Sequence, residues 1–236
     1  MHTFFSECGL HSVLEMANHA RSLGLKRIAI TDHGKLLDAR VNGTFFMRFE
    51  NPFDDIKILK GIELNLADKN GKTDIPMRYI HKMDVVLFGM HYNYETGLSI
   101  QEYTQMVINA IKTNPFIDII THPNSVDYPL NYNELAKEAA KYGVALELNN
   151  SKTHYKKIDD QNTKSLIQAC IDANCKMVVN SDAHAVMEIG RDESVMPFLK
   201  ELNFPENLLL NSSVEKVDEF LAERKVNKLG YPIPKS

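Results

Sequence analysis

Six short apolar runs constrain the fold more than any other feature of the chain. They lie at residues 27–31, 56–63, 84–90, 117–121, 144–148 and 176–180, and most are rich in valine and isoleucine. Runs of this length and composition read as buried strands. Between and around them lie helical patterns at 10–23, 99–113, 132–142, 160–173 and 194–202, with a last helix to about Arg224. Ser99-Ile100-Gln101-Glu102 and Ser212-Ser213-Val214-Glu215 have the form of capping boxes, which start helices. A further short strand is expected at 207–210, a loop-rich stretch at 35–55 and an extended tail at 230–236. Strand alternating with helix implies βα units and a parallel sheet.

Parallel sheets of this kind carry their chemistry at the carboxyl ends of the strands. Here those ends hold His33, Glu63, His91, His122, Glu147, and Asp182 with His184, while His2, Cys8 and His11 stand near the start. A barrel brings them all to one rim. Each residue alone has an ordinary structural reading: Asp32 or His33 as a helix cap, Glu63 as an exposed charge, His91 and His122 bonded to backbone. Together they are difficult to bury without a cation. Asp-x-His at 182–184 is read as two side chains on one face of an extended segment. Carboxylate and imidazole donors suit borderline divalent metals such as Zn, Mn or Fe. His19, His81 and His154 are assigned to the surface or to structure, with His154 in a lysine-bearing loop.

Composition narrows the alternatives. The net charge is −4, which gives a nucleic-acid surface little support. Three cysteines without a paired spacing fit a reducing compartment, and no apolar stretch reaches the length of a membrane span, so a cytoplasmic protein is expected. The length suits one domain over 1–236. There is no G-x-G-x-x-G, Walker A or G-x-S-x-G motif.

With these motifs in order, the chain resembles the PHP (polymerase and histidinol phosphatase) family, in particular its YcdX-like phosphatase branch. The resemblance rests on Met1-His2-Thr3, Ile30-Thr31-Asp32-His33-Gly34, Gly61-Ile62-Glu63, Gly89-Met90-His91, Thr121-His122-Pro123, Leu146-Glu147-Leu148-Asn149-Asn150 and Ser181-Asp182-Ala183-His184. It implies a distorted (β/α)7 TIM-like barrel, here with its first strand apparently truncated. It also implies two to three divalent metal ions and hydrolysis of phosphate esters. Carried over by position, His2, Glu63 and Asp182 hold one ion; Glu63 bridges to a second with His91 and His122; His33 and His184 hold a third. Glu63, Asp182 and His184 are the catalytic candidates.

Two departures from the family pattern stand out. The family opens with His-x-His, whereas this sequence begins at the x. The family also has a third-metal histidine where Cys8 stands, so Cys8 or the nearby His11 is the candidate for that position. The expected partner is a small phosphorylated substrate, with nucleic acid less favoured, no membrane and the oligomeric state open. Phosphomonoester hydrolysis is the leading expectation. A phosphodiesterase or 3'-5' exonuclease of the same family, and a non-catalytic metal-binding relative, are the alternatives.

Overall fold

The structure is a computed structural model and describes residues 1–232. Six parallel strands follow one another in chain order: β1 (Arg27–Ile30), β2 (Lys57–Asn65), β3 (Val85–Gly89), β4 (Ile119–Ile120), β5 (Ala145–Asn149) and β6 (Met177–Asn180). The helices are α1 (Val13–Ser22), α2 (Gly43–Arg48), α3 (Ile100–Thr113), α4 (Tyr132–Lys141), α5 (Asn150–His154), α6 (Asp160–Ala173), α7 (Met196–Glu201) and α8 (Val214–Leu229). The α/β class and the barrel-like curl expected from the motifs are both present.

Side chains alternate across the sheet with the two-residue period of strands. Ile58, Ile62 and Leu64 of β2, Val86 and Phe88 of β3, and Leu146 and Leu148 of β5 join the large outer core with α1, α3, α4 and α6. The other parity faces the barrel interior, where Leu59, Val85, Leu87, Ile119, Ala145 and Val178 form a second apolar cluster with Phe220 of α8. Further along the same inward parity come Glu63 on β2, Gly89 on β3 and Glu147 on β5. The interior is therefore apolar below and polar at the carboxyl ends.

β1 and β6 are not paired with each other. Met1 and His2 lie between their ends: Thr31 N donates to Met1 O at 3.0 Å and His2 N to Ala183 O at 2.8 Å. Below them a cavity of about 510 Å3 opens into the barrel, lined by Met1, Ala29, Leu59, Val178 and Phe220 among others.

Several expectations are corrected. α1 starts at Val13, because Ser12 and Glu15 form a capping box, and Leu10 is 72% exposed outside it. The stretch 35–55 contains α2, whose Phe45 and Phe46 are buried and whose Phe46 ring stacks on Tyr79. His154 ends a short helix instead of lying in a loop. At 207–210 there is a 3-10 helix, Glu206–Leu208, and a single bridge from Leu209 to Met177, since Asn211 occupies the backbone groups of Val179. α8 runs past Arg224 to Leu229, with Arg224 and Lys228 on its buried face. Residues 233–236 of the expected extended tail lie outside the described residues.

Candidate metal centre

Glu63 is the centre of the rim. It is 3% exposed and sits near the end of β2, where the polar parity of the strand meets the interior. His91 Nε2 lies 3.0 Å and His122 Nε2 3.3 Å from its Oε1. His2 Nε2 lies 3.2 Å from its Oε2, and His33 Nδ1 approaches the same oxygen at 4.0 Å. His2 Nε2 is also 3.2 Å from Asp182 Oδ1. His91 Nε2 and His122 Nε2 are only 3.1 Å apart, both turned towards the same carboxylate oxygen. The His2 ring stacks between those of His33 and His184, with centroids 4.4 and 4.6 Å away.

The ligand atoms form three overlapping groups within 4.8 Å: His33, Glu63 and His91; His2, Asp182 and His184; and His2, Cys8 and His33. The Nδ1 atoms of His2, His33 and His91 are buried without a hydrogen-bond partner. Such atoms are costly to leave unpaired. Imidazole nitrogens and carboxylate oxygens turned inward to this extent fit divalent cations. His11 joins none of these groups.

Electrostatics reinforces the fit. Burial works against a charged His2, but hydrogen bonds to Asp182 and Glu63 outweigh it and push the imidazole up to about 9. The same contacts overcome burial for the carboxylates: histidines hold Glu63, and His2 holds Asp182, well below the usual range. Burial, then the Lys152 charge, lowers His122 to about 4. Burial and the neighbouring Asp182 and Glu63 raise Glu147 to about 7. Partial desolvation of its sulfur, then Asp182, pushes the Cys8 thiol up to about 11, although the residue as a whole is exposed. The two carboxylates thus favour the protonated form of His2 over the neutral one.

The surrounding residues fix these groups. Thr121 Oγ1 donates to Glu63 Oε1 at 2.8 Å. Glu147 accepts from His122 N and from the Asn149 and Asn180 side chains, and Asn149 Nδ2 also donates to Asp182 Oδ2 at 3.0 Å. Gly89 is required here: a Cβ on it would lie 2.3 Å from Thr121 Oγ1 and 2.9 Å from the His91 ring. Sequence reasoning passed over Thr121 and Gly89, although both belong to motif strings ending in histidine. Glu188 was also missed. Its carboxylate accepts from His184 N at 2.7 Å and fixes the turn, and no sequence signal marks it.

Two local expectations change. Asp182 and His184 do come together, but not as alternate residues of a strand. β6 stops at Asn180 and Asp182 takes a left-handed backbone at φ 51°, a conformation that aspartate tolerates better than most residues. His184 Nδ1 then lies 2.8 Å from Asp182 O. Asp32, read from the sequence as a helix cap, instead accepts from Thr3 N and Oγ1 and from Ser6 N and Oγ, which ties the N-terminal loop to β1.

Comparison with known proteins agrees with this fold. The PHP domain matches residues 1–151. A probable phosphatase of Acetivibrio thermocellus is 34% identical over 230 residues, covering 95% of this chain and 94% of that protein. One from Proteus mirabilis is 33% identical over 224 residues, covering 93% and 91%. Among solved structures, the histidinol phosphate phosphatase of Lactococcus lactis, complexed with zinc, L-histidinol and phosphate, superposes with a TM-score of 0.62 at 17% identity, covering 87% of this chain and 92% of that one. A chain of an archaeal ribonuclease P with mature tRNA gives 0.60 at 15% identity, covering 97% and 96%. At such identities the two structures speak to the fold alone.

Proposed function

The chain belongs to the PHP domain family, and from that premise we propose that it is a metal-dependent phosphatase acting on small phosphate monoesters. The observation that carries this reading is the convergence of His2, His91 and His122 nitrogens on the two oxygens of one buried carboxylate, Glu63, with Asp182 alongside. His2, Glu63 and Asp182 would hold one ion, and Glu63, His91 and His122 a second. Divalent ions there would lower the pKa of water and neutralise phosphoryl oxygens.

The protein's own part is to place and exclude. Glu63 offers one oxygen to each half of the cluster. Thr121 and the Asn149–Glu147–Asn180 network stop the carboxylates from turning away. His184 is half-buried at the rim, and its Nδ1 contact with Asp182 O leaves Nε2 as the ring nitrogen that would meet an ion or a substrate. We assign Glu63, Asp182 and His184 to the reacting centre. The relatives named probable phosphatases match nearly the full chain, and the Lactococcus enzyme holds zinc and phosphate in the same fold, which supports zinc as one choice of ion.

The test compares chelator-stripped protein with protein reloaded with Zn, Mn or Fe(II), on p-nitrophenyl phosphate, bis(p-nitrophenyl) phosphate and a labelled oligonucleotide. We expect monoester turnover that disappears on stripping and returns on reloading. Turnover that survives complete metal removal contradicts the reading. Cleavage of diesters or oligonucleotides alone replaces it with the phosphodiesterase or exonuclease alternative.

A further inference from the structure

We propose that the Cys8 sulfur is a metal ligand, giving the outer edge of the cluster a thiolate position that favours zinc, cobalt(II) or iron(II) over magnesium and manganese. The inference rests on the metal-dependent reading above and deepens it. Cys8 Sγ, a His2 ring nitrogen and a His33 ring nitrogen lie within 4.8 Å of one another. Ligand atoms about a single tetrahedral zinc stand roughly 3.3–3.6 Å apart, from bond lengths of about 2.0–2.3 Å, so closure needs only small side-chain movements. His2 is 1% exposed, yet its Nδ1 has no partner, and the buried Nδ1 of His33 has none either. Two buried histidines beside one sulfur, each keeping a ring nitrogen without a partner, are the independent sign of a missing cation.

Cys8 does not reach this place through a free loop. Ser6 is tied to Asp32 through both N and Oγ. Gly9 N donates to Ser6 O at 3.1 Å, and Leu10 N to His184 O at 2.9 Å. A Cβ on Gly9 would lie 2.1 Å from Thr3 O, so only glycine permits this close turn. The loop is therefore clamped on both sides of Cys8, to β1 through Asp32 and to the turn after β6 through His184. His11, the alternative from sequence, has its carbonyl bonded to Phe4 N and its ring in none of the ligand groups.

The donor chemistry sets the selectivity. Every other candidate ligand presents imidazole nitrogen or carboxylate oxygen. A thiolate is the one soft donor, and soft donors discriminate against magnesium and manganese. Cys8 is exposed, whereas Cys170 and Cys175 are fully buried in the outer core. The three thiols are thus chemically separable.

The experiment reloads the stripped full chain with cobalt(II) and records its absorption spectrum. We expect a near-ultraviolet sulfur-to-cobalt charge-transfer band beside the visible ligand-field bands. The band should persist in Cys170→Ser and vanish in Cys8→Ser, which should bind its weakest ion about 10-fold or more less tightly. Cys8→His should keep the ion count without the band and accept manganese more readily. In the unmutated protein, a thiol reagent should modify one cysteine in the stripped native state and none after loading. Cobalt bound without a sulfur band, or with a band unchanged in Cys8→Ser, overturns the assignment of Cys8 and leaves the phosphatase reading standing. A chain that binds no cobalt, zinc or manganese overturns both.

Discussion

Two buried acidic clusters occupy opposite ends of the same barrel, and they are neutralised in different ways. At the amino ends of the strands Asp118 is fully buried. Its carboxylate accepts from Lys228 Nζ at 2.7 and 2.6 Å, from Arg224 Nε at 3.2 Å and from Val86 N at 2.8 Å. Both cations come from α8, and neither can leave. At the carboxyl ends Glu63, Glu147 and Asp182 are gathered with histidines, and among the described residues no lysine or arginine hydrogen-bonds to any of them. Imidazole can release its proton near neutral pH, and guanidinium cannot. The lower cluster is closed by a lysine and an arginine of the chain itself, both held on α8. The upper one is closed by charges that an incoming cation can displace. That difference separates a structural ion cluster from a candidate functional one.

The largest expected effect breaks the lower cluster. Lys228→Met leaves Asp118 buried with its closest cation gone, and should cost about 3–5 kcal/mol of stability. Denaturant unfolding measures this, and Asp118→Asn in the same chain should recover much of the loss. Metal stoichiometry of the folded fraction should not change. Next comes the upper cluster. Glu63→Gln should lower phosphatase activity by more than the roughly 10–100-fold typical of a group behind the ligands, while the stripped protein remains folded by circular dichroism. Were Glu63→Gln to unfold the protein and Lys228→Met to spare it, the contrast between the two ends would be inverted.

Glu147→Gln sharpens the same contrast by a smaller step. Glu147 touches no ligand nitrogen but holds His122 N and the Asn149 side chain, so metal affinity should fall by about 10–100-fold. Metal titration followed by activity reads this directly. The smallest effect is His154→Ala, an exposed residue at the end of α5, expected to stay within about 0.5 kcal/mol of wild type and to keep full activity.

The upper cluster was largely legible in the sequence, and the lower one was not. Glu63, His91 and His122 each close an apolar run, and the two-residue period of a strand fixes which face such a residue takes once the run is placed. The groups that hold them were harder to see. Gly89 and Thr121 matter because β3 and β4 bring them under the same histidines, a consequence of pairing between distant segments. The left-handed turn at Asp182 depends on Glu188 and Asn149, which belong to other elements. Asp118 reads locally as a polar residue inside an apolar run, and its partners lie 106 and 110 residues away. The end of α8 was misplaced for a related reason. Its buried face carries Arg224 and Lys228, so the apolar stripe that marks a helix fades over its last turns.

The most direct measurement counts ions and stability together on chelator-stripped wild-type protein. Zinc or manganese is added stepwise, bound metal is determined by elemental analysis after dialysis, and thermal unfolding is recorded at each step. The account predicts more than one equivalent bound. It also predicts a melting temperature that climbs with free metal, since an ion at 100 times its Kd adds about 2.7 kcal/mol to the folded state. No bound metal, together with a melting temperature indifferent to metal, would contradict it.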